Sequence, residues 1–226
     1  MFTKERGIIL DQKKMSKKRL TLSMPCFGRP KRTIRAIECI ANQNVNGWEA
    51  LVTGDGCPVM DDFLKSGTFI DMIADCQRRG NDLIIKNHPE NRGHHGFALT
   101  NEHIQQARGE WFIFYANDDV ILENHFKNYL SGVENKHLNF AYFDSWVNCN
   151  SQPRISDLKF GLIGHSELII RTEFLKTMPL HSQKYGHDYK LVENMMKNTK
   201  KYNKAKSPHQ TYWVMSVPNN QEKNID

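Results

Sequence analysis

The feature that most constrains the fold of this chain is an alternation, over its first 120 residues, of short apolar runs with amphipathic stretches of helical period. Residues 20–24 alternate apolar and polar side chains and end at Pro25, the pattern of a strand. A loop containing Gly28 follows, and Ile34, Ile37, Ile40 and Ala41 then recur at helical spacing, which predicts a helix over 30–43. Residues 48–53 read as a second strand, 60–79 as a weaker helical pattern and 82–86 as a third strand. Phe97, Asn101, Ile104 and Ala107 line a further helix that stops at Gly109, a favourable C-cap. The run 110–120, Glu-Trp-Phe-Ile-Phe-Tyr-Ala-Asn-Asp-Asp-Val, begins at once and reads as a buried central strand. Strands alternating with helices in this way predict an α/β fold, a Rossmann-like, mostly parallel mixed sheet flanked by helices.

The second half is less regular. Residues 140–147 and 162–171 read as strands, one of them antiparallel, and 172–178 as a short helix. Residues 185–188 form a turn before a helix in which Tyr189, Val192 and Met196 share a face, and 212–217 is a last apolar segment. The expected organisation is a basic N-terminal extension over 1–18, one domain over 19–218 and a tail over 219–226.

Composition narrows the classes. The longest apolar runs fall well short of the roughly 20 residues that a membrane helix needs, and no signal-peptide pattern opens the chain. Five cysteines without a C-x-x-C spacing argue against a zinc cluster and suit a reducing compartment. A cytoplasmic protein is expected, with a place at a membrane surface left open by the basic ends. The net charge of +6 lies largely in those ends, 13–19 and 197–206, where basic residues form solvated tails more often than a nucleic-acid groove.

Ligands in open α/β sheets collect at the carboxyl ends of strands. Asn117, Asp118 and Asp119 fall there after the central strand, and Asp55, between Gly54 and Gly56, falls there after the second. Adjacent carboxylates repel, and the remedies are a divalent cation, a nearby Lys or Arg, or a raised pKa. A hard cation is favoured because it can also hold a diphosphate. The competing reading is that Asn-Asp-Asp is a solvated turn.

Seven pieces, in order, carry a resemblance: Thr-Leu-Ser-Met-Pro at 21–25, Gly-Arg-Pro at 28–30, Ile-Ala-Asn-Gln at 40–43, 48–56, Asn-Arg-Gly at 91–93, 107–119 and Gly-His-Asp at 186–188. Over about 19–197 the chain resembles the family 2 glycosyltransferases. The resemblance implies a GT-A fold, a nucleotide-diphosphate sugar donor (a UDP- or GDP-sugar), a carbohydrate or glycan acceptor, manganese or magnesium, and inversion at the anomeric carbon. It assigns Asp55 to the base or ribose, Pro25, Phe27, Gly28 and Arg29 to a loop flanking the base, and Arg92 to the diphosphate. Asn117 joins this donor set. Asp118 takes the position of the family's metal-contacting carboxylate with Asp119 beside it, and His209 matches a histidine that some GT-A enzymes return to the metal. Asp188 is the expected general base, positioned to take the acceptor hydroxyl's proton; an N-cap role suits it equally. His165 is expected near the acceptor site, with a structural role as its alternative.

The departures are Ala116 where many members carry an Asp, Thr100 where an Arg often stands, and His187 in place of a Glu. The competing functions are a nucleotidyltransferase on a similar sheet, a GT-A domain without catalysis, and a basic nucleic-acid or polyanion-binding protein.

Overall fold

The computed structural model describes residues 6–8, 17–93, 96–134, 137–147, 152–179, 187–205 and 211–215. Its centre is strand β2 (Lys18–Cys26), which pairs in parallel with β3 (Trp48–Gly54) on one side and β5 (Gly109–Phe114) on the other. Strand β4 (Asp82–Asn87) extends the parallel part beyond β3, and β1 (Arg6–Ile8) closes that edge antiparallel to β4. On the other flank β10 (Leu168–Arg171) runs antiparallel to both β5 and β7 (Phe140–Tyr142), and β11 (Tyr202–Lys204) pairs in parallel with β7. The order β1-β4-β3-β2-β5-β10-β7-β11 is the expected mixed sheet, with four of seven pairings parallel. The short N-terminal strand lies in the stretch expected to be an extension.

Register brings the strand ends level: Cys26 faces Gly54, and Gly54 faces Asn87. Alternation along β5 divides its side chains between two layers. Trp111, Ile113 and Tyr115 join a core with α1 (Pro30–Ala41), α2 (Pro58–Ser66), α3 (Ile70–Arg78) and α5 (His125–Val133). Phe112 and Phe114 join a second core with α4 (Phe97–Gln106), α6 (Thr172–Lys176) and α7 (His187–Asn198). Full burial of each large side chain, such as Trp48 or Phe112, contributes roughly 1.5–3 kcal/mol. A second, small sheet has the order β6-β12-β8-β9, from β6 (Val120–Ile121), β12 (Tyr212–Val214), β8 (Ser145–Val147) and β9 (Gln152–Arg154).

The structure corrects several expected boundaries. The helical pattern over 60–79 is two helices, because Gly67 adopts a left-handed conformation (φ 71°) and its N–H caps back onto the Phe63 carbonyl. Gly109 is not a helix cap. Helix α4 ends two residues after Ile104, and Gly109 opens β5, where a Cβ would lie 2.3 Å from the Thr21 nitrogen. The apolar run 140–147 breaks between β7 and β8, and Asp144 accepts the Ser156 N–H at the break. In 162–171 only Leu168–Arg171 is a strand, since His165–Glu167 forms a single 3-10 turn held by Glu167.

Candidate active site

A cavity of about 740 Å³ opens at the carboxyl ends of β2, β3 and β5, and its far wall is the turn 164–166 and the start of α7. Asp55, one residue beyond β3, is only 4% exposed and lines the cavity. Gly56 (φ 60°) makes this possible: a Cβ there would lie 2.3 Å from the Asn91 nitrogen, so its absence lets the 90–92 loop close over Asp55. The Arg92 N–H then donates to Asp55 Oδ1 at 2.8 Å. The Arg92 guanidinium pairs with Glu102, and Asn91 and Gly93 line the cavity beside it.

The loop after β2 holds Phe27, 54% exposed, then Gly28 and Arg29, both with positive φ (62° and 51°). A non-glycine residue in this conformation is uncommon and costs on the order of 1–2 kcal/mol. Its consequence is that the Arg29 guanidinium reaches Asp118 and forms an ion pair with it. Pro25, Phe27 and Arg29 line the cavity; Gly28 fixes the loop by donating its N–H to Cys57 Sγ at 3.2 Å.

After β5 the three motif residues diverge. Asn117 donates to Thr33 Oγ1 in the first turn of α1 at 2.9 Å. Asp118 keeps a side chain 28% exposed in the cavity, while its carbonyl accepts from Arg35 Nη2 at 2.9 Å. Asp119 lines the cavity beside Asp118 but is largely buried. It is 7% exposed, Tyr212 Oη donates to its Oδ2 at 2.5 Å, and the Met215 N–H donates to its Oδ1 at 2.8 Å. Burial pushes its pKa up to about 6, against the lowering effect of those two donors. Among the described residues no three His, Cys, Asp or Glu side chains group as a metal cage. His209 lies outside the described residues.

Beneath the loops His103, on α4, bridges β2 and β3. Its Nδ1 lies 2.8 Å from Ser23 Oγ and its Nε2 2.8 Å from Thr53 Oγ1. Burial drives its pKa down to about 3, so it is a neutral strut under the cavity floor. Sequence reading missed this residue, although Thr100 and His103 stand on the apolar face of α4, a place where polar side chains need partners.

On the opposite wall Asp188 lines the cavity from the first turn of α7, and His165 Nδ1 sits 3.0 Å from its Oδ1. Arg154 also lines the cavity and lies 3.3 Å from the fully buried Glu167, whose Oε1 accepts from Ser145 Oγ at 2.5 Å. Desolvation raises the pKa of Glu167 despite that arginine. Arg154 and Glu167 had no motif to reveal them, since their meeting depends on β8, β9 and the 3-10 turn.

The model of the family described as "Glycosyl transferase family 2" matches residues 21–182, and the chain belongs to that family. No curated protein sequence matches it. Solved structures share its fold at low identity. Residues 1–349 of TarS from S. aureus in complex with UDP superpose with a TM-score of 0.70 at 15% identity, covering 88% of this chain and 61% of that one. The same TarS fragment with UDP-GlcNAc gives 0.64 at 16% identity over 88% and 59%. The mannosyltransferase PcManGT from Pyrobaculum calidifontis, in complex with GDP-Man and Mn2+, gives 0.65 at 14% identity over 90% and 58%. The chain therefore spans about 60% of the length of these relatives. Among the described residues no helix is long and apolar enough to cross a membrane.

Proposed function

We propose that the chain is an inverting glycosyltransferase that moves a sugar from a nucleoside-diphosphate donor to an acceptor hydroxyl, with 19–218 as its single GT-A domain. The observation that carries this reading is the convergence of Asp55, Asp118 and Asp188 on one cavity at the strand ends. Asp55, with one oxygen held by the Arg92 N–H, accepts a donor hydrogen from the base or ribose through the other. The bound UDP, UDP-GlcNAc and GDP-Man of the fold relatives support a uridine or guanosine donor.

Asp118, the motif carboxylate exposed in the cavity, would hold a divalent ion at the donor phosphates. Asp119 holds the loop from below. Such an ion, whose presence the Mn2+-bound PcManGT complex supports, would supply positive charge where the diphosphate leaves. Arg29, already in the cavity, gives the same phosphates a charge-assisted donor.

Asp188 takes the proton of the acceptor hydroxyl as its oxygen attacks the anomeric carbon. The new carbon–oxygen bond forms as the bond to phosphate breaks, and its electron pair leaves on the nucleoside diphosphate. The free thiols Cys26, Cys39, Cys57 and Cys76 fit the cytoplasmic setting proposed for this reaction.

A thermal-shift panel of UDP, GDP and ADP, each with and without manganese, tests the donor reading. Saturation at 100 times Kd stabilises by about 2.7 kcal/mol, so the uridine or guanosine nucleotide with metal should raise Tm visibly. Equal shifts with all three nucleotides, unchanged by EDTA, would overturn it.

A further inference from the structure

We propose that Arg154 binds the acceptor, and that the acceptor is anionic, carrying a phosphate or a carboxylate near the hydroxyl that receives the sugar. This rests on the reading of the cavity as a glycosyltransferase site. Two arginines line that cavity, Arg29 and Arg154. Arg29 pairs with Asp118 at the strand ends, whereas Arg154 pairs with Glu167 at the turn that forms the far wall. Glu167 and Asp188 flank Gly164: a Cβ there would lie 3.6 Å from Glu167 Oε2 and 3.9 Å from Asp188 Oδ2. The cation and the proposed base thus stand around one residue, within the span of a single acceptor molecule.

The fold places the guanidinium deliberately. Arg154 ends β9, the edge strand of the small sheet, and faces Ser145 of β8 across the ladder. Cross-strand partners share a face, and both side chains reach Glu167: Ser145 Oγ donates to Oε1 at 2.5 Å, and Arg154 Nε lies 3.3 Å from the same oxygen. The Gly164 N–H donates to Oε2 at 2.6 Å. Each oxygen of this fully buried carboxylate therefore has a hydrogen bond without the arginine, which adds charge compensation. The chain beyond Arg154 is also tied down, since Lys204 Nζ donates to the Ser156 carbonyl at 2.8 Å and the Ser156 N–H donates to Asp144 at 2.8 Å.

Held through Nε, the guanidinium keeps its Nη1–Nη2 edge for a second oxyanion. Among the described residues those nitrogens meet no protein acceptor, and the side chain is 29% exposed. A planar fork of this kind matches the two oxygens of a phosphate or carboxylate. The cavity already carries Asp55, Asp118 and Asp188, which repel an anion. A fixed arginine on the acceptor side offsets that repulsion for an anionic acceptor and is not needed by a neutral one.

Glucose 6-phosphate, glucuronate and glucose are the probes, titrated by NMR at constant ionic strength with and without UDP and magnesium. The wild-type protein should bind at least one of the two anionic sugars about ten- to hundredfold more tightly than glucose. A phosphate preference identifies a phosphorylated acceptor, and a carboxylate preference a uronic acid. Arg154→Gln should abolish the preference, with UDP affinity unchanged within about twofold. The double variant Arg154→Gln/Glu167→Gln removes the buried charge together with its counter-ion. A purely structural arginine predicts that this variant regains anion binding; the proposal predicts that it does not, and the variant carries the comparison if Arg154→Gln fails to fold. Equal or undetectable binding of all three sugars to the wild type, anion preference retained in Arg154→Gln or restored in the double variant, or a matching loss of UDP affinity would each overturn the proposal. Absence of any UDP or GDP binding by the wild type would instead sink the donor reading, whatever the sugars do.

Discussion

The two walls of the cavity are built by different means. The donor wall is the level edge of parallel strands, and its carboxylates are already met by fixed partners: Asp55 by the Arg92 N–H, Asp118 by Arg29, Asp119 by Tyr212. The acceptor wall is a 3-10 turn set against a helix start, and its carboxylate faces an imidazole. An arginine meets the carboxylate of one wall and an imidazole that of the other. Metal and nucleotide should therefore govern the first, and orientation of a base the second.

The largest effect expected from that difference is Asp188→Asn. Removal of a general base lowers turnover by a factor of about 10² to 10⁴, with nucleotide affinity preserved because Asp188 lies on the other wall. Asp188 is the second residue of α7 and not its N-cap, so the isosteric Asn removes only a charge–dipole contribution of about 0.3–1 kcal/mol and Tm should fall little. Single-turnover hydrolysis beside calorimetric UDP or GDP binding reads both quantities, and a parallel loss of rate and affinity would move Asp188 to the donor wall.

Asp118→Asn should do the reverse. Losing a charged oxygen ligand costs about 1.5–3 kcal/mol, or roughly ten- to hundredfold in manganese-dependent nucleotide affinity. Metal-free affinity should change little, because Asp118 acts on the phosphates through the metal. Titrations with manganese and with EDTA distinguish the two; identical curves for variant and wild type would reduce Asp118 to a turn residue.

The third expectation concerns stability against pH. Burial lowers His103 and His125 to about 3 from an ordinary 6.5, so between those values the unfolded chain binds protons that the folded chain does not. Folded stability is thus fully present above about 6.5 and is lost as pH falls. Asp119, raised to about 6 from 3.8, acts in the opposite sense over that narrower window. Glu167, also raised by burial, acts with Asp119, so the two histidines are offset and the net dependence between about pH 4 and 6 is weak. Denaturant unfolding across that range measures it, and a steep loss of stability as pH falls would mean that the two carboxylates stay charged in the folded chain.

The smallest effect is Tyr212→Phe, which deletes the hydroxyl bonded to Asp119 and should cost about 1–3 kcal/mol of stability. Nucleotide affinity should weaken modestly through the loosened motif loop, with the turnover of bound donor unaffected. A change in turnover alone would show that the walls are not independent.

The strand ends that form the proposed donor wall were legible in the sequence because their signals are local. Strand, glycine and carboxylate stand within a few residues at 48–56 and 109–119, and the family match begins at 21 and ends at 182. Arg29 and Asp118 were both expected at the donor site, although nothing in their spacing foretold that they meet, since the left-handed backbone at Arg29 sets that direction. The inward turn of Asp119 was also hidden, because Tyr212 and Met215 approach it from the far end of the chain. On the acceptor wall the 162–171 run looked like a single strand. Its first half becomes a turn because Glu167, buried among Arg154, Ser145 and the Gly164 N–H, bends the chain, and three of those four groups come from separate elements. Apolar periodicity reports which face is buried and carries no trace of such a knot.

The tie from Tyr212 to Asp119 also sets a schedule. The two residues are 93 positions apart, and at about 5–20 residues per second a ribosome needs roughly 5–20 s to traverse that distance. Throughout that interval the parallel sheet can assemble around β2, while the loop bearing Asp118 lacks the strand that props it from below. Donor capture should therefore arise late in synthesis, so a nascent chain released before Tyr212 would carry the sheet without a finished nucleotide pocket.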